Sequence, residues 1–516
     1  MRIIRRRIFV NIFEVIDGYA ARYPERIAHI HREESITYGA LFQKSNRLAN
    51  YIIDRFEDDN TPIIVYGHKQ CAMLVCFLAC VKSGHAYIPV DSSLPSGRIE
   101  DIVASSASKL ILCMEPLSFI SEVSEILDFS SILQITGTYN FSPPDKAYRV
   151  AEQDVYYIIY TSGSTGKPKG VQITLSNLQS FISWAVPLAG IDAADAPVIL
   201  NTAPFSFDLS VMDMYISLAS GGTLYSIDKN MTANVRELFE YLEKSQVSVC
   251  VCTPSFADLC IADSSFRQAL LPNLRCFLFC GETLGNKTAE ELINRFPCAK
   301  IVNLYGPTET TVSVTAVTID RDICSRSSPL PVGRIKADCV IHILNQHSSE
   351  VPEKEHGEIV ISGDSVSIGY YNNQEMTDKA FFTYGGKWSY HTGDEGYVKN
   401  GMLYYCGRLD FQIKLHGYRI EIEDVENNIR RLRGVLNALV VPGFSDGRLT
   451  HLNAFVIRED KNADKSLKGV IAFKNDLKAL LPEYMIPKKI IFTDQFPMNT
   501  NGKTDRKALA LALEVR

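Results

Sequence analysis

DVYYIIYTSGSTGKPKG, residues 154–170, begins as an unbroken apolar run and then turns to glycine, hydroxyl and lysine. The first half reads as a strand buried on both faces, the second as a loop at its carboxyl end. The loop does not fit a Walker A motif, because Gly163 and Gly166 are only three apart and Pro168 follows Lys167. It does not fit a dinucleotide fingerprint either, since Ser164 and Thr165 interrupt the G-x-G-x-x-G spacing. What remains is a set of groups suited to a polyanion: hydroxyls on Thr161, Ser162, Ser164 and Thr165, two glycine amides, and the cations Lys167 and Lys169. On composition alone a flexible Gly/Ser turn would look the same.

Strand-like runs recur through the first four hundred residues: TPIIVYG (61–67), SKLILCM (108–114), APVILNTA (196–203), VSVCVCT (247–253), RCFLFCG (275–281) and AKIVNLYG (299–306). Amphipathic helical stretches, such as NVRELFEYLEKS (234–245) and TAEELINRF (288–296), lie between them. Apolar strands alternating with helices predict an α/β fold with covered, largely parallel sheets. Ligand loops should then lie at the carboxyl ends of strands. YTSGSTG, CGET and NLYGPTE all occupy such positions. The character changes near GRLDFQIKLHGYRIEIEDVENNIRRL (407–432), after which helix, strand (437–443), strand (452–458) and helix (476–481) suggest a small α+β domain. The predicted division is a large domain, 1–409, and a small one, 410–516.

At 516 residues the chain exceeds one hydrophobic core. A net charge of −6 gives no electrostatic reason to expect nucleic acid or an anionic membrane surface. Thirteen cysteines without a paired C-x-x-C framework argue against a disulfide scaffold or zinc ribbon and fit a reducing, cytoplasmic setting. The basic start MRIIRRRIFVNIFEVI is broken by Asn11 and Glu14 and lacks a small-residue cleavage site, unlike a signal peptide. AMLVCFLAC (72–80) is about half the length needed to span a bilayer and reads as a buried helix, so no transmembrane segment is expected.

FSFDLSVMDMY (205–215), FLFCGETL (277–284), YGPTET (305–310), HTGDEG (391–396), GRLDFQIKLHGYR (407–419) and PMNTNGKTDRKAL (497–509) together resemble the ANL superfamily of adenylate-forming enzymes, in its amino-acid-activating branch. The likeness runs from about Tyr160 to Lys503 in the family's order and spacing. It implies ATP and Mg²⁺ as cofactors, with loop 161–167 on the β,γ-phosphates while a carboxylate attacks the α-phosphorus. Tyr305 would stack on adenine with Asn303 nearby, flanked by Leu304, Gly306 and Pro307. Glu309 would bind magnesium, and Thr308 would lie close to the α-phosphate. Asp394 would accept from the ribose hydroxyls, supported by Arg408 and by Tyr405 and Gly407 of the same YYCGR stretch. Outside such a motif, Glu309 could be a turn carboxylate and T-G-D an ordinary turn.

Asp208 matches the position that pairs with a substrate ammonium, although it could also cap the helix LSVMDMY. The resemblance assigns a specificity pocket to Leu209, Met212, Ser255 and Leu278, continued by Cys280, Leu304, Val312 and Ser313. The pocket carries no charge besides Asp208, which favours a small, uncharged side chain. Cys280 looks like the cysteine that narrows the pocket of D-alanine-activating members, and could equally be a plain buried thiol. Leu304 and Ser313 depart from the smaller or hydroxylated residue and the alanine expected there. Lys503 matches the superfamily's carboxy-terminal lysine, which bridges substrate carboxylate and α-phosphate. Asp410 matches the hinge about which the small domain turns between half-reactions, with Lys414 and Gly417 bordering a thiol tunnel.

The implied activity is adenylation of D-alanine with pyrophosphate release, then transfer to the phosphopantetheine thiol of a carrier protein, for D-alanylation of lipoteichoic acid. No Gly-x-Asp/His-Ser carrier site occurs, so the carrier is expected in trans and the enzyme is expected to be a monomer. The alternatives are a stand-alone peptide-synthetase adenylation protein for glycine, serine or L-alanine, a non-catalytic nucleotide-binding relative, and an acyl-CoA synthetase. Glu309, Asp394 and Lys503 speak against a non-catalytic relative, and Asp208 against an acyl-CoA synthetase.

Overall fold

A computed structural model describes residues 11–56, 59–117, 125–163, 166–191, 196–445, 448–460, 466–497 and 506–514. Lys503, Ser164 and Thr165 lie outside the described residues. The chain divides into two compact units, formed by the described parts of Met1–Ser92, Ser106–Ile159 and Gly170–Leu409, and of Ser93–Ser105, Tyr160–Lys169 and Asp410–Arg516.

The first unit is α/β, built on a nine-stranded sheet among the described residues. At its centre, Ile27–His31, Thr223–Ser226, Val198–Asn201, Val249–Cys252, Cys276–Phe279 and Lys300–Tyr305 run parallel. Val198–Asn201, Val249–Cys252, Cys276–Phe279 and Lys300–Tyr305 are apolar runs of the sequence, whereas Ile27–His31 and Thr223–Ser226 were not legible as strands. Val249–Cys252 and Cys276–Phe279 are buried at every position, as strands covered on both faces must be. A second, six-stranded sheet includes Ile63–Gly67, Tyr87–Asp91 and Leu110–Cys113, also parallel. A third, antiparallel sheet carries Gly357–Gly363, Lys387–Lys399 and Met402–Arg408.

Helices follow the chemistry of their ends and faces. Cys71–Lys82 is buried on nearly every side, as its almost all-apolar sequence requires, and Lys82 at its end donates to Ser45 Oγ (3.0 Å) and Asn46 Oδ1 (2.8 Å). Leu175–Leu188 starts at a reciprocal capping box between Thr174 and Asn177. Leu209–Ser220 stops at Gly221, whose φ of 64° lies in the left-handed region that glycine occupies without strain. Among the described residues no helix is long and apolar enough to cross a membrane. None of the thirteen cysteines forms a disulfide, and Cys298 and Cys406 are exposed.

His29 lies on the strand Ile27–His31, next to one edge of the nine-stranded sheet, fully buried, with Nε2 against the Ser226 hydroxyl at 2.9 Å and its ring edge-on to Phe205. Burial, with His31 and Lys69 nearby, pushes its pKa down from 6.5 to about 3. The folded protein therefore keeps this imidazole neutral at pH values where an unfolded chain takes up a proton. The resulting stability is intact above pH 6.5 and is lost as pH falls toward 3. Between pH 7 and 5 this histidine is expected to account for about 2 kcal/mol. Thermal unfolding of His29→Gln should show a correspondingly shallower acid dependence than wild type.

The second unit holds a hairpin, Gln412–Leu415 and Tyr418–Glu421, then helix Ile422–Arg430 and a sheet of Val435–Ser445, Arg448–Arg458 and Lys489–Phe492. His416 and Gly417 turn the hairpin with φ of 52° and 82°, the left-handed pair that matches strand twist in a two-residue turn. Its core is apolar, with Ile420, Val425, Ile429, Val440, Ala454 and Leu477 buried together.

Candidate active site

The strand Lys300–Tyr305 delivers the hexapeptide YGPTET at its carboxyl end, and every residue of it is buried. Tyr305 donates its hydroxyl to Asp394 Oδ2 at 2.6 Å, and Arg408 Nη1 donates to Asp394 Oδ1 at 2.8 Å and to the Thr392 carbonyl at 2.9 Å. Asp394 and Arg408 are directly opposite across the antiparallel pair Lys387–Lys399 and Met402–Arg408, so sheet register fixes this contact. Burial and the Asp394 carboxylate hold the Tyr305 phenol well above its usual range, so it stays a neutral donor. The Tyr405 ring lies 6.0 Å from that of Tyr305, and Asn303 donates to the Pro331 carbonyl at 2.9 Å. Asn303, Tyr305, Asp394, Tyr405 and Arg408, predicted from separate motifs, thus meet in one unit. Each Asp394 oxygen keeps a further lone pair for a ligand hydroxyl.

Glu309 lies in the single turn Thr308–Thr310, fully buried, and accepts the Tyr370 hydroxyl on Oε1 at 2.7 Å. Among the described residues no group of three or more His, Cys, Asp or Glu could hold a metal ion. A lone carboxylate suits Mg²⁺ that takes its other ligands from phosphate and water. The residues present therefore fit that ion. Tyr370 carries no motif, and sequence reasoning missed it.

Thr308 donates its hydroxyl to Asp208 Oδ2 at 2.6 Å. Asp208 precedes the helix Leu209–Ser220 with αR backbone and makes no side-chain capping bond, which removes the capping explanation for this carboxylate. Leu209, Met212, Leu278, Cys280, Leu304 and Val312 are all buried within the large apolar core of the first unit. Cys280 Sγ is 3.7 Å from the Val312 carbonyl. Ser255 enters from the first turn of helix Pro254–Ile261, its amide N–H held by Glu282 Oε2 at 3.0 Å. Glu282 is the acidic residue of CGET, to which the sequence reading gave no role.

The described residues of the glycine-rich loop belong to the second unit. A Cβ on Gly163 would lie 2.3 Å from the Lys167 carbonyl, and Gly166 has φ of 85°, so both positions require glycine. Ser162 Oγ donates to the Arg419 carbonyl (2.8 Å) and accepts from the Glu421 amide (3.2 Å). Thr161 Oγ1 is buried without a hydrogen-bond partner among the described residues. Arg98 donates to the Gly166 carbonyl at 3.1 Å and pairs with the buried Asp424 carboxylate, an anchor that no motif announces. Asp410 accepts the Gln412 amide at 3.0 Å; Lys414 lies on the hairpin's first strand, and Gly417 forms its turn.

The sequence profile of AMP-binding enzymes matches residues 16–371. The chain is 45% identical over 500 residues to a D-alanine--D-alanyl carrier protein ligase of Bacillus cereus (strain B4264), covering 97% of this chain and 99% of that one. The ligase of the same name from Bacillus thuringiensis (strain Al Hakam) is also 45% identical over 500 residues, with the same coverage of both chains. Among solved structures, the Vibrio cholerae adenylation domain AlmE in complex with glycyl-adenosine-5'-phosphate superposes with a TM-score of 0.84 at 25% identity, covering 98% of each chain. By its sequence and by this architecture, the chain belongs to the AMP-binding enzyme family.

Proposed function

We propose that this protein activates D-alanine as its aminoacyl-adenylate and passes the D-alanyl group to the phosphopantetheine thiol of a separate carrier protein. The observation that carries this reading is the Asp208 carboxylate, not spent on capping and bonded to Thr308; the pocket positions Met212, Leu278 and Cys280 that the resemblance assigns are buried and uncharged. A carboxylate there answers an α-ammonium, and uncharged pocket positions suit a small, uncharged side chain. The relatives named as D-alanine ligases over nearly the whole chain support the choice of amino acid.

In the first half-reaction a D-alanine carboxylate oxygen attacks the α-phosphorus of ATP, the bond to the bridging oxygen breaks, and pyrophosphate leaves. Tyr305 and Asn303 address the adenine, and Asp394 receives the ribose hydroxyls while Arg408 and Tyr305 hold it in place. The hydroxyls and glycine amides of 161–167 suit the leaving phosphates. Mg²⁺ held by Glu309 would supply positive charge to the phosphate oxygens. Lys503 donates to the carboxylate and α-phosphate oxygens as negative charge gathers. In the second half-reaction the thiol sulfur attacks the acyl carbon and AMP departs. Asp410 serves as the pivot of the small domain, 410–516, in the exchange between half-reactions. The product thioester would serve D-alanylation of lipoteichoic acid from the cytoplasm.

An ATP–pyrophosphate exchange panel with D-alanine, L-alanine, glycine and L-serine tests the reading: D-alanine should give the highest kcat/KM. Glycine or L-serine exceeding it would favour a peptide-synthetase adenylation protein instead, a reading that the likeness to a glycyl-adenylate complex keeps in view. Tyr370→Phe removes the hydrogen bond that orients Glu309 and should raise the Mg²⁺ concentration for half-maximal exchange about tenfold. A magnesium titration at saturating ATP reads this directly.

A further inference from the structure

No motif announces Lys336, yet it is buried and its ammonium is the hub of a polar cluster in the first unit. Nζ donates to Ser365 Oγ at 2.6 Å and to Ser180 Oγ at 2.5 Å, with Asp338 Oδ1 as counter-ion at 3.1 Å. Ser180, on the helix Leu175–Leu188, donates in turn to Asp338 Oδ2 at 2.6 Å, which closes a ring around the charge. A buried ammonium is costly unless it is paired and hydrogen-bonded in this way. Three donors on one small head let this lysine join a helix, a loop and a carboxylate at a single point.

The loop it grips, residues 364–370, lies against the turn that carries Glu309. The Ser367 amide donates to the Glu309 carbonyl at 2.9 Å, the Thr311 hydroxyl to the Ser365 carbonyl at 2.8 Å, and the Tyr370 hydroxyl to the Glu309 carboxylate. Asn177 holds the same loop by the Asp364 and Val366 carbonyls, at 2.7 Å and 3.2 Å. The Lys336 amide itself donates to the Val314 carbonyl at 2.8 Å, just past the turn. Between these attachments Thr311 and Val312 keep φ of 58° and 69°. β-Branched residues hold that left-handed conformation only where their surroundings impose it. Loop 364–370 is a large part of those surroundings, and Lys336 pins it.

We propose that Lys336 is a positioning residue for magnesium: by fixing Ser365 it fixes the loop that orients Glu309, and so sets the affinity for the metal without touching it. The inference rests on the reading that Glu309 binds Mg²⁺. Removing groups that orient a metal ligand typically costs about 10–100-fold in metal affinity. Lys336 acts at one remove further, through Ser365, so the lower end of that range is expected.

The experiment measures binding of α,β-methylene-ATP, an analogue that cannot release pyrophosphate, by calorimetry with Mg²⁺ and with EDTA. The ratio of the two dissociation constants is the gain that the metal brings. Wild type is compared with Lys336→Met, Ser365→Ala and Glu309→Gln, each checked for folding by its melting temperature. Ser365→Ala keeps the buried pair with Asp338 and cuts only the link to the loop. The gain should fall about tenfold in Lys336→Met and about threefold in Ser365→Ala, while the constant in EDTA stays within about twofold of wild type. A structural role alone would weaken binding alike in both buffers, which overturns the proposal. An unchanged gain in Ser365→Ala and in folded Lys336→Met, with Glu309→Gln losing it, also overturns the proposal but leaves the Glu309 reading standing. If Glu309→Gln keeps the full gain, that reading falls and takes the proposal with it. Should Lys336→Met not fold, Ser365→Ala decides by itself.

Discussion

Lys503→Ala is expected to slow D-alanyl-adenylate formation by about 10²–10³, the typical loss when a donor aimed at developing oxyanion charge is removed. The charge in question gathers on the α-phosphate oxygens as the carboxylate closes on phosphorus, so the loss should fall on kcat as well as on kcat/KM. Supplying preformed D-alanyl-adenylate and holo carrier protein bypasses that step. Thioester formation from it should therefore proceed in the variant at close to the wild-type rate. Exchange at full speed in Lys503→Ala would remove this lysine from the mechanism.

Asp208→Ala should cost about 10² or more in kcat/KM for D-alanine, because it strips the partner from a cation that enters a half-buried site. The ammonium is bound before and during phosphoryl transfer alike. The contact is thus uniform binding, and most of the loss should appear in KM. A substrate without an ammonium group separates this effect from a collapse of the pocket: D-lactate should be almost inert with wild type and gain on D-alanine in the variant. Equal losses for both substrates would point instead to the Thr308 hydroxyl, which loses its acceptor in the same substitution.

The parallel strands were legible because residues such as those of 249–252 and 276–279 must be apolar on both faces. The strand ends were legible as loop sites, since YGPTET and CGET break those runs with residues no strand core tolerates. Tyr370 was not legible: it lies in an unremarkable IGYYNN stretch and reaches Glu309 only through tertiary packing across 61 residues of chain. Arg98 and Asp424, 326 residues apart, are of the same kind, an isolated Arg and an isolated Asp that only the fold pairs. Asp208 was legible as a residue but not as a role, because a carboxylate before a helix is first of all a cap. The structure shows that its side chain makes no cap, and its pairing with an ammonium stays a proposal.

Gly306 is commonly the sort of position read as slack in the chain, yet here it is a spacer of minimum thickness. Its α-carbon abuts that of Ser313, so any side chain at 306 would shove the following turn outward and enlarge the space beside Cys280. On the proposed function, amino-acid choice and nucleotide handling would thereby be mechanically tied within ten residues. A lineage that altered one would then have to re-fit the other.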